Sequence, residues 1–294
     1  MELFVRILEV IFPVIAVVLV GFWAGRKHKP EMLVANRLNM DYFTPAMVFT
    51  VMAGGDFHIR EYSWLALGAA ISILACGLIG YLTARMLGEA PRTVGLPIMI
   101  NNSGNLGIPL ALLAFGKEGM AAAVVLFLVS NTIHFTIGPW ILDPQGRIGD
   151  IWKIPMIQAA ILGLVFNVME LQLWHPLMFA IRMLGDISVP LMLFALGVRL
   201  CDVTFSESKA SLVAAVVRPL AGMGTAAAIG WLLDLPQAFI AQLILFGSLP
   251  PAVLNYMFAE RYNQEPHKVA SIVMIGNIAG LVFIPLALLI VLPR

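Results

Sequence analysis

The sequence is poor in charge and very poor in cysteine. Charged residues make up 12% of its 294 residues, whereas they approach about 25% in ordinary soluble proteins. The 18 basic and 17 acidic residues leave a net charge of +1, which provides no extended basic surface and argues against nucleic acid as a partner. The two cysteines, Cys76 and Cys201, lie inside or at the end of apolar stretches. We therefore predict no disulfide framework and no metal site, and we expect no cofactor.

Hydrophobic residues dominate the remainder of the sequence. They make up 60% of the chain, and the mean hydropathy is +0.92. Because about 20 apolar residues span the hydrocarbon core of a bilayer, we predict an all-α integral membrane protein with ten transmembrane helices. The ten apolar segments, numbered one to ten in chain order, are 3–24, 38–54, 63–87, 93–115, 119–142, 154–170, 176–200, 210–233, 237–259 and 269–291.

Positive charge is distributed unevenly between the two ends of these segments. If successive segments alternate in direction, twelve Lys and Arg residues fall on one side and five on the other, with Arg218 inside segment eight. The positive-inside rule makes the richer side cytoplasmic. Both termini then lie outside the cytoplasm, and we expect the protein in a bacterial inner (plasma) membrane.

The second half of the chain repeats features of the first. Asp41 of segment two recurs 145 positions later as Asp186, and Asn131 of segment five recurs 146 positions later as Asn277. Since each half has an odd number of helices, the second half must enter the membrane upside down, which is the plan of many secondary transporters. The predicted domains are two inverted five-helix repeats, 1–142 and 154–294, joined by a cytoplasmic link, 143–153.

The inversion also argues against an intramembrane aspartyl protease. The two carboxylates of such an enzyme share a proton at about 3 Å, whereas Asp41 and Asp186 start segments on opposite faces of the membrane. Neither the His-Glu-x-x-His motif nor the Gly-x-Ser-x-Gly motif occurs in the sequence. We therefore expect no enzymatic activity.

Segments four and nine have a composition that no lipid-facing helix would have. Residues 101–105 read Asn-Asn-Ser-Gly-Asn and are followed by Pro109, and segment nine contains Pro250, Pro251 and Asn255. Proline removes a backbone donor and disfavours the helix at the preceding residue, so both segments are predicted to break near the midplane and to cross. Half-helices beginning near Pro109 and Pro251 would present unpaired N–H groups and about half a positive charge. A carboxylate would suit such a site.

Four asparagines lie in these two segments, namely Asn101, Asn102, Asn105 and Asn255. Their amides can donate to carboxylate oxygens without the insertion cost of a charge, about 2.5–3.5 kcal/mol. The alternative is that they only cap the broken helices and hold them together.

The same stretches resemble a known family. The run from Asn102 to Leu110, with Gly104, Asn105, Gly107 and Pro109, and the run from Leu249 to Tyr256 closely resemble the signature segments of the auxin efflux carrier family. The resemblance covers nearly all of the chain and implies a ten-helix fold of the bile-acid-symporter type. In that fold helices one, two, six and seven form a scaffold, and helices three to five and eight to ten form a mobile transport domain. It further implies export or exchange of organic acids, such as auxin or small dicarboxylates, with Asn102 as a substrate contact and homodimers formed through the scaffold.

Other polar residues within the segments each have two interpretations. Asn131 and Asn277 either line the site or hydrogen-bond to backbone groups freed at the breaks. Arg218 either snorkels to the cytoplasmic face or serves as a counter-charge for the substrate. His134 is expected to be a satisfied core histidine.

Asp41 and Asp186 lie near predicted helix starts. They either carry coupling protons or cap the helix N-termini, and sodium held by backbone carbonyls would leave no trace in the sequence.

These features predict a secondary active transporter that exports small organic anions by alternating access. Its expected substrate-binding residues are Asn102, Gly104, Asn105, Pro109, Pro250, Pro251 and Asn255, with Asn101, Asn131 and Asn277 as further candidates. A cation/proton antiporter on the same architecture is the first alternative. It is weakened because segments four and nine have no Asp, Glu or Lys at their crossing, where an ion-binding carboxylate would be expected. An intramembrane enzyme is the second alternative and is less favoured.

Overall fold

The structure, a computed structural model, describes residues 2–54, 59–143, 151–201 and 209–292. These residues form helices and no β-strand. The α-helices are α1 (Glu2–His28), α2 (Met32–Leu38), α3 (Thr44–Met52), α4 (Ile59–Leu87), α5 (Pro91–Met99), α6 (Ile108–Phe115), α7 (Glu118–Leu142), α8 (Pro155–Val168), α9 (His175–Asp186), α10 (Ser188–Arg199), α11 (Lys209–Leu232), α12 (Gln237–Ser248), α13 (Leu254–Arg261) and α14 (Pro266–Val291).

Each predicted apolar segment coincides with one helix or with a pair of helices. Segments four, seven and nine are each divided into two helices, segment two is divided into a π-helical turn and α3, and segment six is the short helix α8. Six helical stretches in the described part of the chain are long and apolar enough to cross a membrane on their own, which suits an integral membrane protein. They are 3–28, 60–87, 119–142, 175–199, 209–232 and 266–291. The arrangement of all ten segments as spans in two inverted repeats stays a prediction.

In segments two and four, a proline lies at the point where a π-helical turn changes to an α-helix. Residues 39–43 and 103–107 form π-helical turns, and each turn ends just before the pair that contains Pro45 or Pro109. A proline ring clashes with the carbonyl four residues earlier, and a π turn widens the helix at that point. Segment two and the second half of segment four therefore continue as helices through their prolines.

The helices pack in two groups. In one group α1 packs along α10, and α3 packs against α8 and α9. In the other group α4 packs against α5 and α11, and α11 packs against α12 and α14. Small residues allow close contact between membrane helices, and Gly21 and Gly197 bring the backbones of α1 and α10 together.

Candidate functional site

The two broken segments meet where their helices are interrupted. We call residues 100–102 and 249–253, which separate α5 from the next helix and α12 from α13, the junction. The two stretches run antiparallel there, because the amide of Asn102 donates to the carbonyl of Pro250 (2.8 Å) and the amide of Ala252 donates to the carbonyl of Ile100 (3.0 Å). Each stretch thus satisfies backbone groups that its own helix leaves unpaired.

The junction separates two electrostatically different faces. Helices α5 and α12 end at it with their carbonyl ends, whereas the helix over residues 103–115 and helix α13 begin at it with their amide ends. The second half of segment four starts at Ser103, and α13 starts at Leu254. The half-helix predicted to begin near Pro109 therefore begins earlier, at Ser103, because the π turn absorbs the proline clash, whereas α13 begins close to Pro251, as predicted.

A cavity of about 330 Å³ lies on the amide face of the junction. From the junction region it is lined by residues 100–105 and 252–254, and from α7 by residues that include Phe127, Asn131 and His134. The opposite wall comes from segment two, the start of α8 and the end of α10. The cavity therefore lies between the two packed groups of helices.

Asn102 lines this cavity and has a side-chain amide nitrogen that is unpaired among the described residues. Its side chain is 4% exposed, and Nδ2 has no hydrogen-bond partner among the described residues. Its carbonyl accepts from the amides of Leu106 and Gly107, which leaves the amides of residues 103–105 as the first, intrahelically unpaired donors of the helix. No side chain caps this helix start. The alternative interpretation, in which the Asn102 side chain caps the broken helix, is therefore not supported.

Asn101 is fully engaged in the structure itself. Its Nδ2 donates to the carbonyl of Phe246 (2.6 Å), and its Oδ1 accepts from the hydroxyl of Ser130 (3.1 Å). Asn255 donates from Nδ2 to the carbonyl of Ile100 (3.2 Å), while its buried Oδ1 has no partner among the described residues. Both asparagines thus hold the junction together.

Of the remaining predicted site residues, some line the cavity and others do not. Gly104 and Asn105 line the cavity, and a Cβ atom on Gly104 would meet the ring of Phe127 at 3.0 Å. Asn131 lines the cavity but donates to the carbonyl of Phe127 (2.9 Å). The wall contains none of Pro109, Pro250, Pro251, Asn255 and Asn277.

Arg218 does not snorkel, so the interpretation that favoured snorkelling is wrong. It is 2% exposed, and its Nη1 donates to the carbonyl of Gly247 (3.3 Å) near the end of α12. In a continuous helix the amide of residue 251 would bond to that carbonyl, but Pro251 has no N–H. In the same way, Asn101 donates a hydrogen bond to the carbonyl of Phe246, because Pro250 has no N–H to donate to it.

Arg218 reaches this carbonyl because two glycines let α11 and α12 touch. A Cβ atom on Gly222 would overlap the carbonyl oxygen of Gly247, and a Cβ atom on Gly247 would overlap that of Gly222. A small second cavity of about 30 Å³, lined also by Asn101, Ser130 and Thr225, lies beside the guanidinium. Arg218 therefore lies on the carbonyl face of the junction and does not line the larger cavity.

The two aspartates differ in position. Asp41 lies within the π turn and lines the larger cavity, whereas Asp186 is the last residue of α9, is exposed and does not line it. Neither residue caps a helix start, because the helices that begin nearby have no side-chain cap. The N-capping interpretation is therefore wrong for both.

Three functional candidates escaped the sequence reasoning. Arg199 and Lys153 line the larger cavity, although the sequence marked them only as charges at segment ends. His134, which the sequence marked only as a core histidine, also lines it; its buried Nε2 has no hydrogen-bond partner among the described residues, and its ring interacts with the side chain of Asn255. Its ring packs against Phe258 with the centroids 4.7 Å apart.

Comparison with known proteins identifies the family. A family model described as membrane transport protein matches residues 6–152 and 148–288. The chain belongs to this family, which is that of the auxin efflux carriers. Among similar membrane transport proteins, an uncharacterized transporter of Methanothermobacter thermautotrophicus is 28% identical over 95% of this chain and 96% of its own length.

More distant relatives point to the same family. An uncharacterized transporter of Escherichia coli K12 is 22% identical over 86% of this chain and 87% of its own length. Auxin efflux carrier component 6 of Arabidopsis thaliana is 23% identical over 57% of this chain and 28% of its own length. For a membrane transport protein, the cavity beside the junction is the candidate substrate site.

Proposed function

We propose that the protein is a secondary active transporter of small organic anions, which it exports by alternating access. The observation that carries this proposal is the uncapped helix start at residues 103–105, which lines the larger cavity together with Asn102, whose Nδ2 has no partner among the described residues. Helix N-termini attract anions through unpaired N–H groups and about half a unit of positive charge. A carboxylate would accept from both kinds of donor.

The polarity of the junction supports the choice of an anion over a cation. The amide ends of the helix over 103–115 and of α13 border the larger cavity, and the carbonyl ends of α5 and α12 lie on the other face. Of the charged residues that the described part of the chain contributes to its wall, two are basic, Arg199 and Lys153, and one is acidic, Asp41. A cation/proton antiporter would place its ion-binding carboxylates at the break itself.

The packing of the helices supports a division into two moving parts. We propose that segments one, two, six and seven form a scaffold and that segments three to five and eight to ten form a transport domain, within two inverted repeats. The two packed groups follow this division, and the larger cavity lies between them. A displacement of one group against the other would change the side from which the cavity is reached.

A thermal-shift screen of the purified protein against organic acids tests the substrate class. Each acid is compared with its amide, which has one fewer acceptor oxygen and no charge, and a ligand at 100 times its Kd should stabilise by about 2.7 kcal/mol. We expect acids to raise the Tm and amides to do so far less. Flux of labelled acid into liposomes, run beside a proton-only flux assay, distinguishes anion transport from cation/proton antiport. Proton flux without anion flux would overturn the proposal.

We further propose that both termini lie outside the cytoplasm of the inner membrane and that the scaffold forms a homodimer. Single cysteines placed at Lys29 and at Gly146, which lies outside the described residues, should react with an impermeant thiol reagent only from the cytoplasm. A cysteine at Lys117 should react only from outside. Reaction of the Gly146 cysteine from outside would disprove the inverted repeat.

A further inference from the structure

One cation in the wall of the larger cavity has no hydrogen-bond or ion-pair partner among the residues that the structure describes. Arg199 lies in the last turn of α10, is half-buried and lines the cavity. No hydrogen bond or ion pair joins it to any residue in the described ranges. A guanidinium carries five N–H donors in a planar fork that matches a carboxylate, so a half-buried one without a partner is prepared for an anionic ligand.

Arg199 and the amide donors of the junction line this one cavity from different packed groups of helices. Residues 101–105 contribute only neutral donors, whereas the charged residues of the wall, Asp41, Lys153 and Arg199, come from segment two, the turn before α8 and the end of α10. A volume of about 330 Å³ falls at the lower end of the range found for small-molecule sites. A compact ligand can therefore touch both walls at once.

We propose that Arg199 binds a second anionic group of the substrate and makes the protein select dianionic organic acids over monoanionic ones. This inference rests on the proposed function, because one carboxylate is assigned to the junction. The second carboxylate would accept two parallel hydrogen bonds from the guanidinium, the arrangement in which arginine is most selective. Asp41, the acidic residue among the described residues of the wall, disfavours a further negative charge of the ligand away from Arg199.

The pairing would also tie the two packed groups together. Arg199 is part of α10, which packs on α1, whereas the junction is carried by α5 and α12, which pack on α4 and α11. A dianion held at both ends bridges them, and a monoanion held at the junction alone does not. Arg199 would then determine selectivity in the conformation described here.

The test measures Kd by isothermal titration for linear α,ω-diacids of three to six carbons and for their monoamides, which differ only in the second charge. The unsubstituted protein should bind the best diacid more tightly than its monoamide by about 10- to 150-fold, as expected for a hydrogen-bonded charged group. Arg199→Gln should abolish this ratio and leave the monoamide Kd within about threefold, whereas Arg199→Lys should keep part of it. Arg85→Gln, an exposed arginine of α4 away from the cavity, is the matched control.

The outcomes separate this inference from the proposed function. If no acid of either kind binds, the proposed function fails. If acids bind but diacids and monoamides bind alike, or if Arg199→Gln keeps the ratio while the protein is monodisperse with an unchanged Tm, Arg199 is not the determinant. A ratio that Arg199→Gln abolishes and Arg85→Gln preserves supports the inference.

Discussion

Asn101 donates from its side chain to the carbonyl of Phe246 at 2.6 Å, across 145 positions of sequence. The separation equals the offset of the predicted repeat, so Asn101 contacts the residue that the repeat pairs with it. The contact exists because Pro250 cannot donate to Phe246. Asn101, in the first half of the chain, thus replaces the hydrogen bond that Pro250 removes in the second half.

Asn101→Ala should therefore affect stability more than binding. The substitution leaves the carbonyl of Phe246 with one weaker bond, from the amide of Leu249 at 3.3 Å, and removes the acceptor of the Ser130 hydroxyl. An unsatisfied buried polar group costs about 1–3 kcal/mol. We expect a lower Tm in a detergent-solubilised thermal-shift assay and an acid affinity changed by less than about threefold. A large loss of affinity at unchanged Tm would assign Asn101 to the substrate.

Asn102→Ala should give the opposite pattern. Its Nδ2 has no partner in the described part of the chain, so its loss removes no internal hydrogen bond. If the amide donates to a substrate carboxylate, the affinity should fall about 10- to 150-fold, the equivalent of about 1.5–3 kcal/mol. Titration calorimetry with the best acid measures this, and Asn277→Ala, outside the cavity, is the control. A lower Tm with unchanged affinity would indicate a structural role.

Arg218→Gln should lower the stability of the protein and leave its affinity for the substrate nearly unchanged. Arg218 lies on the carbonyl face of the junction and lines only the smaller cavity. Its loss leaves the carbonyl of Gly247 without a hydrogen-bond donor. We expect this loss to lower the free energy of unfolding by about 1–3 kcal/mol. Melting curves with and without acid separate the two effects. If binding collapses in a folded, monodisperse variant, the anion's partner is Arg218, and the site extends toward α11.

A pH-dependent contribution is expected where the turn before α14 meets the start of α5. Lys268 (2.8 Å) and the hydroxyl of Thr93 (2.6 Å) both donate to Glu265, and together they hold the pKa of Glu265 below its usual value of 4.5. Because the pKa of Glu265 is lower in the folded state than in the unfolded state, the stabilisation is complete above the usual pKa of 4.5. It is lost as the pH falls through the lowered folded-state pKa.

The substitution that tests this contribution is Glu265→Gln. Since the carboxylate is 46% exposed, we expect an effect of about 0.2–1 kcal/mol, reduced further by salt. The Tm difference from the unsubstituted protein should be constant between pH 8 and 5.5 and should shrink below pH 4.5. Glu61→Gln, an exposed carboxylate at the start of α4, should show no such trend. A Tm difference that grows on acidification would contradict the sign.

The sequence alone identified the helical segments and the two breaks because both depend on local chemistry. Apolar length predicts a membrane helix, and Pro250 and Pro251 cannot continue one. The start of the second half-helix at Ser103 was not predictable in this way, because it depends on a π turn that widens to admit Pro109.

The role of Arg218 was missed for a different reason. Snorkelling is the expected behaviour of a lone arginine in a membrane helix when only its own segment is considered. Its partner in the fold is a carbonyl that a proline 33 positions later leaves without a donor. Tertiary contacts of this kind, and the lack of a partner for Arg199 among the described residues, become visible only when the helices are packed.

The touching backbones of Gly222 and Gly247 have a mechanical consequence. With carbonyl groups in contact and no side chains between them, α11 and α12 have no layer of flexible atoms along which to slide. Arg218 adds a hydrogen bond at the same point. Any displacement of the junction must therefore move α11 as well, so α11 and α12 move as one rigid unit.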